Sequence, residues 1–377
     1  MESNKKKQKS EIAAPEEKLP WELIEEILSC VSPKSLVRFR VVCKRWNAVL
    51  DDKTFINNHK ETFRFILKTK SKFYSVSIDP KIVVRELILP GLESVYPKKL
   101  VSSGEFMICN VYKGAAVCNP WLKQTTWITQ PSFNFHGICH LDSNGRNEES
   151  VYKTIWSKNT VWKTHDLASG TWKDIESMSG DTNQGELNFE TVHSPSGVLL
   201  NGTLFWIVFS DEADPLYHID TFDFSREGFY RFCDLPCRRN HPHDALVLGL
   251  FKGDRFSVLK RCNVTKKIEI WVTENKVEKG AGVVWMILMT FSIPNFPCLA
   301  QTSYIHQPSY FIDNNKRLVV CSCDETGNAW IYVMAENKLI SKVQISSVVD
   351  SWPLHCTYFP SLIPVPQGHG DEAELEV

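Results

Sequence analysis

Two hydrophobic rhythms divide the chain. In the first, apolar residues recur at helical spacing: Leu23, Ile24, Ile27, Leu28 and Val31, set among Glu22, Glu25 and Glu26, predict one short helix. The early acids suit the positive end of its dipole. Ser32-Pro33 reads as an N-cap followed by proline at the first helical position, opening a second helix that carries Leu36 and Val37. Val42, Trp46, Val49 and Leu50, at i, i+4, i+7 and i+8, predict a third that closes near Asp51-Asp52. From Phe63 onward the pattern becomes alternating, rich in Val, Ile, Thr and aromatic residues and cut by Gly, Pro, Asn and Asp. That is the mark of many short strands.

The strand region repeats loosely. Six polar turns, each followed by a strand, begin at Asp79, Asn119, Asp166, Asp223, Thr273 and Ala335. Successive starts lie 40, 47, 57, 50 and 62 residues apart, close to the roughly 50 residues of a kelch-type blade. Radial repetition of small sheets buries short strands without long exposed edges. The expected fold is mainly β with a small α head: a helical head followed by an irregular kelch-like β-propeller of about six blades, seven being the next count. The competing architecture is a pair of β-sandwiches, which would not need this spacing.

The helical segment holds more apolar residues than it can use. From Leu19 to Ile56, 17 of 38 residues are Leu, Ile, Val, Phe or Trp. A unit below about 40 residues cannot bury every face of three short helices, so the surplus predicts a second surface, on the following domain or on a partner.

Composition narrows the function. Lys+Arg is 43 and Asp+Glu 44, for a net charge of −1, so no global basic field attracts nucleic acid. The twelve tryptophans and 21 phenylalanines fall beside aliphatics in strand positions, as blade packing requires, and not along a basic stripe. The longest strongly apolar run, Val283–Phe291, has nine residues, and a bilayer needs about 20. No membrane partner is expected. Residues 1–17 read as a disordered basic tail with Lys5, Lys6, Lys7 and Lys9 but no apolar core of a secretory signal. Residues 367–377 read as an acidic tail. Twelve scattered cysteines without a CxxC then predict free thiols in an intracellular protein of the nucleus, the cytoplasm or both.

Sequences that carry catalysis are missing. No G-x-S-x-G, H-E-x-x-H, phosphate-loop or EF-hand pattern occurs, and no cofactor is expected. Gly280-Ala281-Gly282 reads as a hairpin turn. Cys233, Cys237, His241 and His243 could in principle surround zinc, but Pro236 and Pro242 stiffen the stretch, and a loop between blades is the simpler reading. His136 and His140 read as structural residues of a strand.

The helical segment also carries a specific pattern. Leu19-Pro20, Leu23, Glu26-Ile27-Leu28, Lys34-Ser35-Leu36, Arg38-Phe39-Arg40, Val42-Cys43-Lys44, Trp46, Phe55 and His59 resemble the F-box of plant F-box proteins. Ser32 departs from the family's usual proline, though Pro33 follows at once. Behind it, Asn119-Pro120, Trp162-Lys163, Asp166-Leu167, Trp172-Lys173, Asn201-Gly202, Trp206, Phe222-Asp223-Phe224 and the run Lys267–Val272 resemble the F-box associated interaction domain. The resemblance implies an F-box over 18–60, a propeller over 61–366, and a non-catalytic subunit of a Skp/cullin/F-box ubiquitin ligase. It further implies docking of a Skp-type adaptor, and through it a cullin–RING ligase, by Leu19, Pro20, Leu23, Ile27, Leu28, Leu36, Val42 and Trp46, which either face the adaptor or support that interface. A client protein would then bind the propeller. Long polar loops on one face make Phe133, Phe135, Arg238, Arg239 and Phe296 the candidate client contacts, an Arg-plus-aromatic mix common at interface hot spots. The alternative is a propeller enzyme or small-molecule sensor with a helical cap.

Overall fold

The computed structural model describes residues 19–367 apart from 131, 142–150, 159–160, 176–196, 210–216, 238–243, 279, 281, 294–306, 325 and 346–351. The chain divides after Glu61 into two compact units.

The first unit has four helices, α1 (Trp21–Ser29), α2 (Pro33–Phe39), α3 (Lys44–Asp51) and α4 (Lys53–Asn58). Pro33 at the first helical position starts α2, while Ser32 Oγ reaches Ser35 Oγ at 3.1 Å and caps no backbone N–H. Helix α3 begins later than the periodicity suggests. Cys43 is its N-cap, its sulfur accepting from the Trp46 N–H at 3.4 Å, which leaves Val42 in the preceding turn. Helix α4 is unforeseen by the pattern: Asp52 Oδ1 caps it by accepting from the Thr54 N–H at 2.7 Å, and six residues are too few to show a period. The core takes one buried aliphatic from each helix, Leu28, Leu36, Leu50 and Ile56. Buried His59 ties the end of α4 to the α1–α2 turn. Its Nε2 donates to the Val31 carbonyl at 2.9 Å and its Nδ1 accepts from the Glu61 N–H at 3.1 Å. That arrangement needs a neutral ring, and burial accordingly lowers its pKa.

The second unit is a ring of six four-stranded antiparallel sheets. The first blade combines β1 (Phe65–Lys68), β2 (Phe73–Ser77) and β3 (Val83–Leu87) with the chain's last strand, β24 (Leu354–Thr357). The second holds β4 (Lys99–Ser103), β5 (Phe106–Val111), β6 (Gly114–Asn119) and β7 (Gln124–Thr129); the third β8 (Asn134–Leu141), β9 (Val151–Lys158), β10 (Val161–Asp166) and β11 (Trp172–Ile175). The fourth holds β12 (Val198–Leu200), β13 (Thr203–Phe209), β14 (Tyr217–Asp223) and β15 (Gly228–Asp234); the fifth β16 (Ala245–Phe251), β17 (Arg255–Arg261), β18 (Ile268–Thr273) and β19 (Trp285–Phe291). Strands β20 (Ser309–Ile312), β21 (Leu318–Cys323), β22 (Ala329–Ala335) and β23 (Lys338–Gln344) form the sixth. Each blade runs outward from β24, β4, β8, β12, β16 or β20, and these innermost strands meet around the axis.

All six polar turns read from the sequence fall between the third and fourth strands of a blade. Three share one device. Asn119, Asp166 and Asp223 end the third strand, and the side-chain oxygen of each accepts backbone N–H groups two and three residues on. Four residues beyond each, Lys123 (φ 53°), Gly170 (φ 68°) and Glu227 (φ 52°) turn the chain through the left-handed region. Gly280, with φ 80°, does the same before β19, as the hairpin reading requires.

Hydrophobic clusters lie between blades rather than within them. Phe135 and Trp156 of the third blade pack with Ile108 and Val117 of the second, and the Trp162 and Trp206 rings stack at 6.0 Å between the third and fourth. Both faces of each sheet are therefore buried by neighbours, and the exposed edges are the outermost strands. On three of these a bulged residue, Phe232, Leu288 or Ile340, interrupts pairing with the third strand, a feature that discourages edge-to-edge association.

Closure depends on the two chain ends of the ring. Strand β24 pairs antiparallel with β1, Ile66 opposite Cys356, and the Tyr358 N–H continues the ladder to the Arg64 carbonyl at 2.8 Å. Asn119, fully buried, then fixes the segment that follows. Its Nδ2 donates to the carbonyls of Ser361 (2.9 Å) and Ile363 (2.7 Å), and its Oδ1 accepts from the Tyr358 hydroxyl at 3.0 Å as well as from the turn. Arg317 of the sixth blade adds a pair with Asp79 of the first, at 2.8 Å.

Two outcomes follow from these buried polar groups. Asn119→Leu keeps the volume but strands two carbonyls, a hydroxyl and two N–H groups, so urea denaturation should show a loss of about 3 kcal/mol or more; a loss below about 1 kcal/mol would refute the closing role. His136 pairs its Nε2 with Ser157 Oγ at 2.6 Å, and burial, with Lys99 nearby, pushes its pKa down to about 3. Its contribution is therefore intact above the ordinary histidine pKa near 6.5 and drains away as pH falls from there toward about 3. Between pH 6 and 4 the His136→Gln protein should lose stability less steeply than the parent, by about 1.4 kcal/mol per pH unit. Identical slopes would contradict it.

Candidate functional site

The structure sorts the predicted adaptor positions into two groups. Leu28 and Leu36 point into the helical core, with 1% and 0% of their surface exposed, and hold the head together. Of the two roles left open for them, facing a partner or supporting that surface, burial leaves only the supporting one. Leu23 and Ile27, four residues apart on α1, keep 46% and 54% of their surface in water, and Leu19 and Val42 keep 58% and 59%. Pro20, the N-cap of α1, is exposed as well. Trp46 is half-buried, its ring 5.4 Å from Phe39. Helical spacing alone made Leu23, Ile27 and Leu28 equivalent, because all three are apolar on one short helix. The turn before α3 supplies a residue the sequence reading passed over: Val41 is 89% exposed. Its signal was a β-branched pair, Val41-Val42, ahead of a cap, where no helix face could bury it.

Charge frames this apolar surface. The Arg45 guanidinium lies 3.7 Å from the centre of the Trp21 ring. Arg40 pairs with Asp51 at 2.5 Å and donates to Asn47 Oδ1 at 3.1 Å, fixing the α2–α3 turn against α3. The exposed Cys30 thiol accepts from Lys60 Nζ at 2.9 Å, which lowers its pKa.

On the propeller, antiparallel order sets two ends. The connections from an outermost strand to the next blade and those between second and third strands share one end, so the described residues 132–133, 235–237, 262–267 and 326–328 lie together there. Of the candidate client contacts, Arg238, Arg239 and Phe296 lie outside the described residues. Phe133 is half-buried, with Lys163 Nζ 5.7 Å from its ring centre. Phe135 is fully buried and is withdrawn as a client contact: β8 is an innermost strand, and this side chain meets Trp156 edge-on at 4.8 Å between blades. Asn110 locks its backbone, Nδ2 donating to the Phe135 carbonyl at 3.1 Å and Oδ1 accepting from its N–H at 3.2 Å.

The possible zinc ligands fare similarly. Cys233 and Cys237 pack between the fourth and fifth blades, and burial pushes both thiols up to about 12. His241 and His243 lie outside the described residues. Among the described residues no cluster of metal-ligand side chains forms, no cysteine is in a disulfide, and no helix is long and apolar enough to cross a membrane. His136 contacts Ser157 and the Trp162 ring, and His140 stacks near Tyr152, so each has a structural partner.

Comparison with known proteins agrees with this two-part anatomy. Residues 17–58 match the F-box domain, and residues 64–365 match the F-box associated beta propeller domain. F-box protein At2g14710 of Arabidopsis thaliana is 56% identical, across 95% of this chain and 98% of its own length. The F-box/kelch-repeat protein At3g16580 of the same plant is 52% identical, covering 95% and 96%. Protein SUPPRESSOR OF NIM1 1, also from Arabidopsis thaliana, is 38% identical, covering 92% and 98%. With its helical head and six-bladed ring each matched in order, the chain belongs to the F-box proteins that carry an F-box associated β-propeller domain.

Proposed function

We propose that this chain is the client-receptor subunit of a Skp/cullin/F-box ubiquitin ligase, with the head holding the adaptor and the propeller holding a client. F-box domains generally bind Skp-type adaptors of cullin–RING ligases. The observation that carries the reading is a head whose small core is already filled by Leu28, Leu36, Leu50 and Ile56, yet which leaves Leu19, Leu23, Ile27, Val41 and Val42 in water. Burying a large aliphatic side chain contributes about 1.5–3 kcal/mol, so a partner that covers several of them gains strongly.

No bond is made or broken by this chain in that role. Its contribution is proximity: a client tethered beside the charged conjugating enzyme reacts as if intramolecularly. The ring suits this because blade packing is rigid while the loops at its two ends are free to vary. We place the client at the end that carries the longer connections, with Phe133, Arg238, Arg239 and Phe296 among its contacts, and the complex in the nucleus or cytoplasm, compartments compatible with free thiols.

Leu23→Glu combined with Ile27→Glu in the full chain should weaken capture of a Skp-type adaptor at least about 100-fold, in the range of hot-spot losses. The thermal midpoint should barely move, because both residues are exposed. Leu36→Lys is the wrong probe, since it would unfold the head by burying a charge. Undiminished capture by the double variant would sink the proposal.

A further inference from the structure

Two of the described cysteines, Cys30 and Cys43, are exposed to solvent. Cys30 does not stand alone. It is the C-cap of α1, its N–H donating to the Ile27 carbonyl at 3.0 Å. Lys60, thirty residues on and just past α4, brings its Nζ to 2.9 Å from the Cys30 sulfur.

The backbone, and not one flexible side chain, creates this approach. His59, 1% exposed, donates from Nε2 to the Val31 carbonyl at 2.9 Å, and the Lys60 N–H reaches the Ser29 carbonyl at 3.5 Å. The segment 59–60 is thus laid against 29–31, which sets Cys30 and Lys60 side by side. Around the sulfur stand the Glu26 carbonyl, which accepts from the thiol at 3.3 Å, and Ser29 Oγ at 4.0 Å. The hydrogen bond from Lys60 lowers the pKa of the thiol, and the thiol in turn raises that of Lys60. An accessible thiol with thiolate character is the kind that peroxides oxidise first. What distinguishes Cys30 is an amine in place to trap the product.

We propose that Cys30 and Lys60 form a peroxide-dependent modification site, in which a sulfenamide bond joins Sγ to Nζ. The Cys30 thiolate attacks one oxygen of hydrogen peroxide and the O–O bond breaks. The departing hydroxide takes a proton from the Lys60 ammonium, leaving a sulfenic acid, a water and a neutral amine. Sulfenic acids condense with thiols and with nitrogen. The amine lone pair therefore attacks Sγ, the S–O bond breaks, and the hydroxide leaves with an amine proton as a second water. Sulfur gives up two electrons and the peroxide accepts them. A dithiol reverses the bond, returning thiol and amine as it becomes a disulfide.

The bond would tie the end of α1 to the exit of α4, a covalent staple across the helical core that restricts the unfolded chain. Nothing in this chemistry depends on adaptor docking, so its failure would leave the ligase proposal standing, and the reverse.

Peptide mass spectrometry of the full-length protein, treated with hydrogen peroxide at neutral pH, tests the assignment. The peptides that carry Cys30 and Lys60 should appear joined, lighter by two hydrogens than their sum, and dithiothreitol should separate them. Their linked fraction should exceed that of any link between Cys43 and a lysine by at least about tenfold, since the amine is already in place at Cys30. Lys60→Arg keeps the positive charge but offers no comparable nucleophile, so the link should vanish while Cys30 still oxidises to its acids. Both residues are exposed, so Lys60→Arg and Cys30→Ser should keep the parent's thermal midpoint before treatment. No Cys30–Lys60 link, a link that carries an added oxygen, or equal linkage at Cys43 would overturn the proposal.

Discussion

The ladder between β24 and β1 is the interaction on which the rest of the propeller depends. Without β24 the first blade has no innermost strand, and the ring has a gap where Phe65 and Leu67 should pack against the sixth blade. Because each sheet buries its two faces against neighbours, an open ring would expose apolar surface on both sides of the gap. The chain secures the join with more than strand pairing. Asn119 grips the segment beyond β24 through two carbonyls and a tyrosine hydroxyl, and Arg317 reaches across to Asp79. Side chains from three blades thus hold the two ends of the ring.

The head solves a different problem with far fewer residues. One aliphatic per helix makes its core, and a neutral histidine braces the exit from α4. What remains apolar has nowhere to go within the unit. The head is therefore stable enough to present a surface and too small to hide it, which is the physical basis of its proposed work. The propeller contributes the complementary property, a scaffold whose innermost and middle strands are fixed by interblade packing while its connections lie at the two ends of the ring.

Much of this was legible in the sequence because it is local. The turns at Asn119, Asp166 and Asp223 announce themselves, since a side-chain oxygen that caps its own turn must lie within a few residues of it. Six polar turns sufficed for six blades. The closing ladder was not legible, because Ile66 and Cys356 meet across almost the whole domain and neither carries a local sign of the other. Phe135 was misread for a related reason: a residue next to a polar loop looks like surface until the neighbouring blade is placed over it. Helix α4 was too short to show a period. The apolar residues of the head stand out in the sequence, yet only three-dimensional packing could send Leu28 inward and Ile27 outward.

Hydrogen exchange of the full chain, with and without a Skp-type adaptor, tests most directly whether the head is the ligase contact and the propeller is left free. Binding should slow exchange in α1 and in the turn before α3, around Leu23, Ile27 and Val42, and leave the rates of the blade strands and of residues 262–267 unchanged. Protection appearing on the propeller with none on α1 would contradict this account.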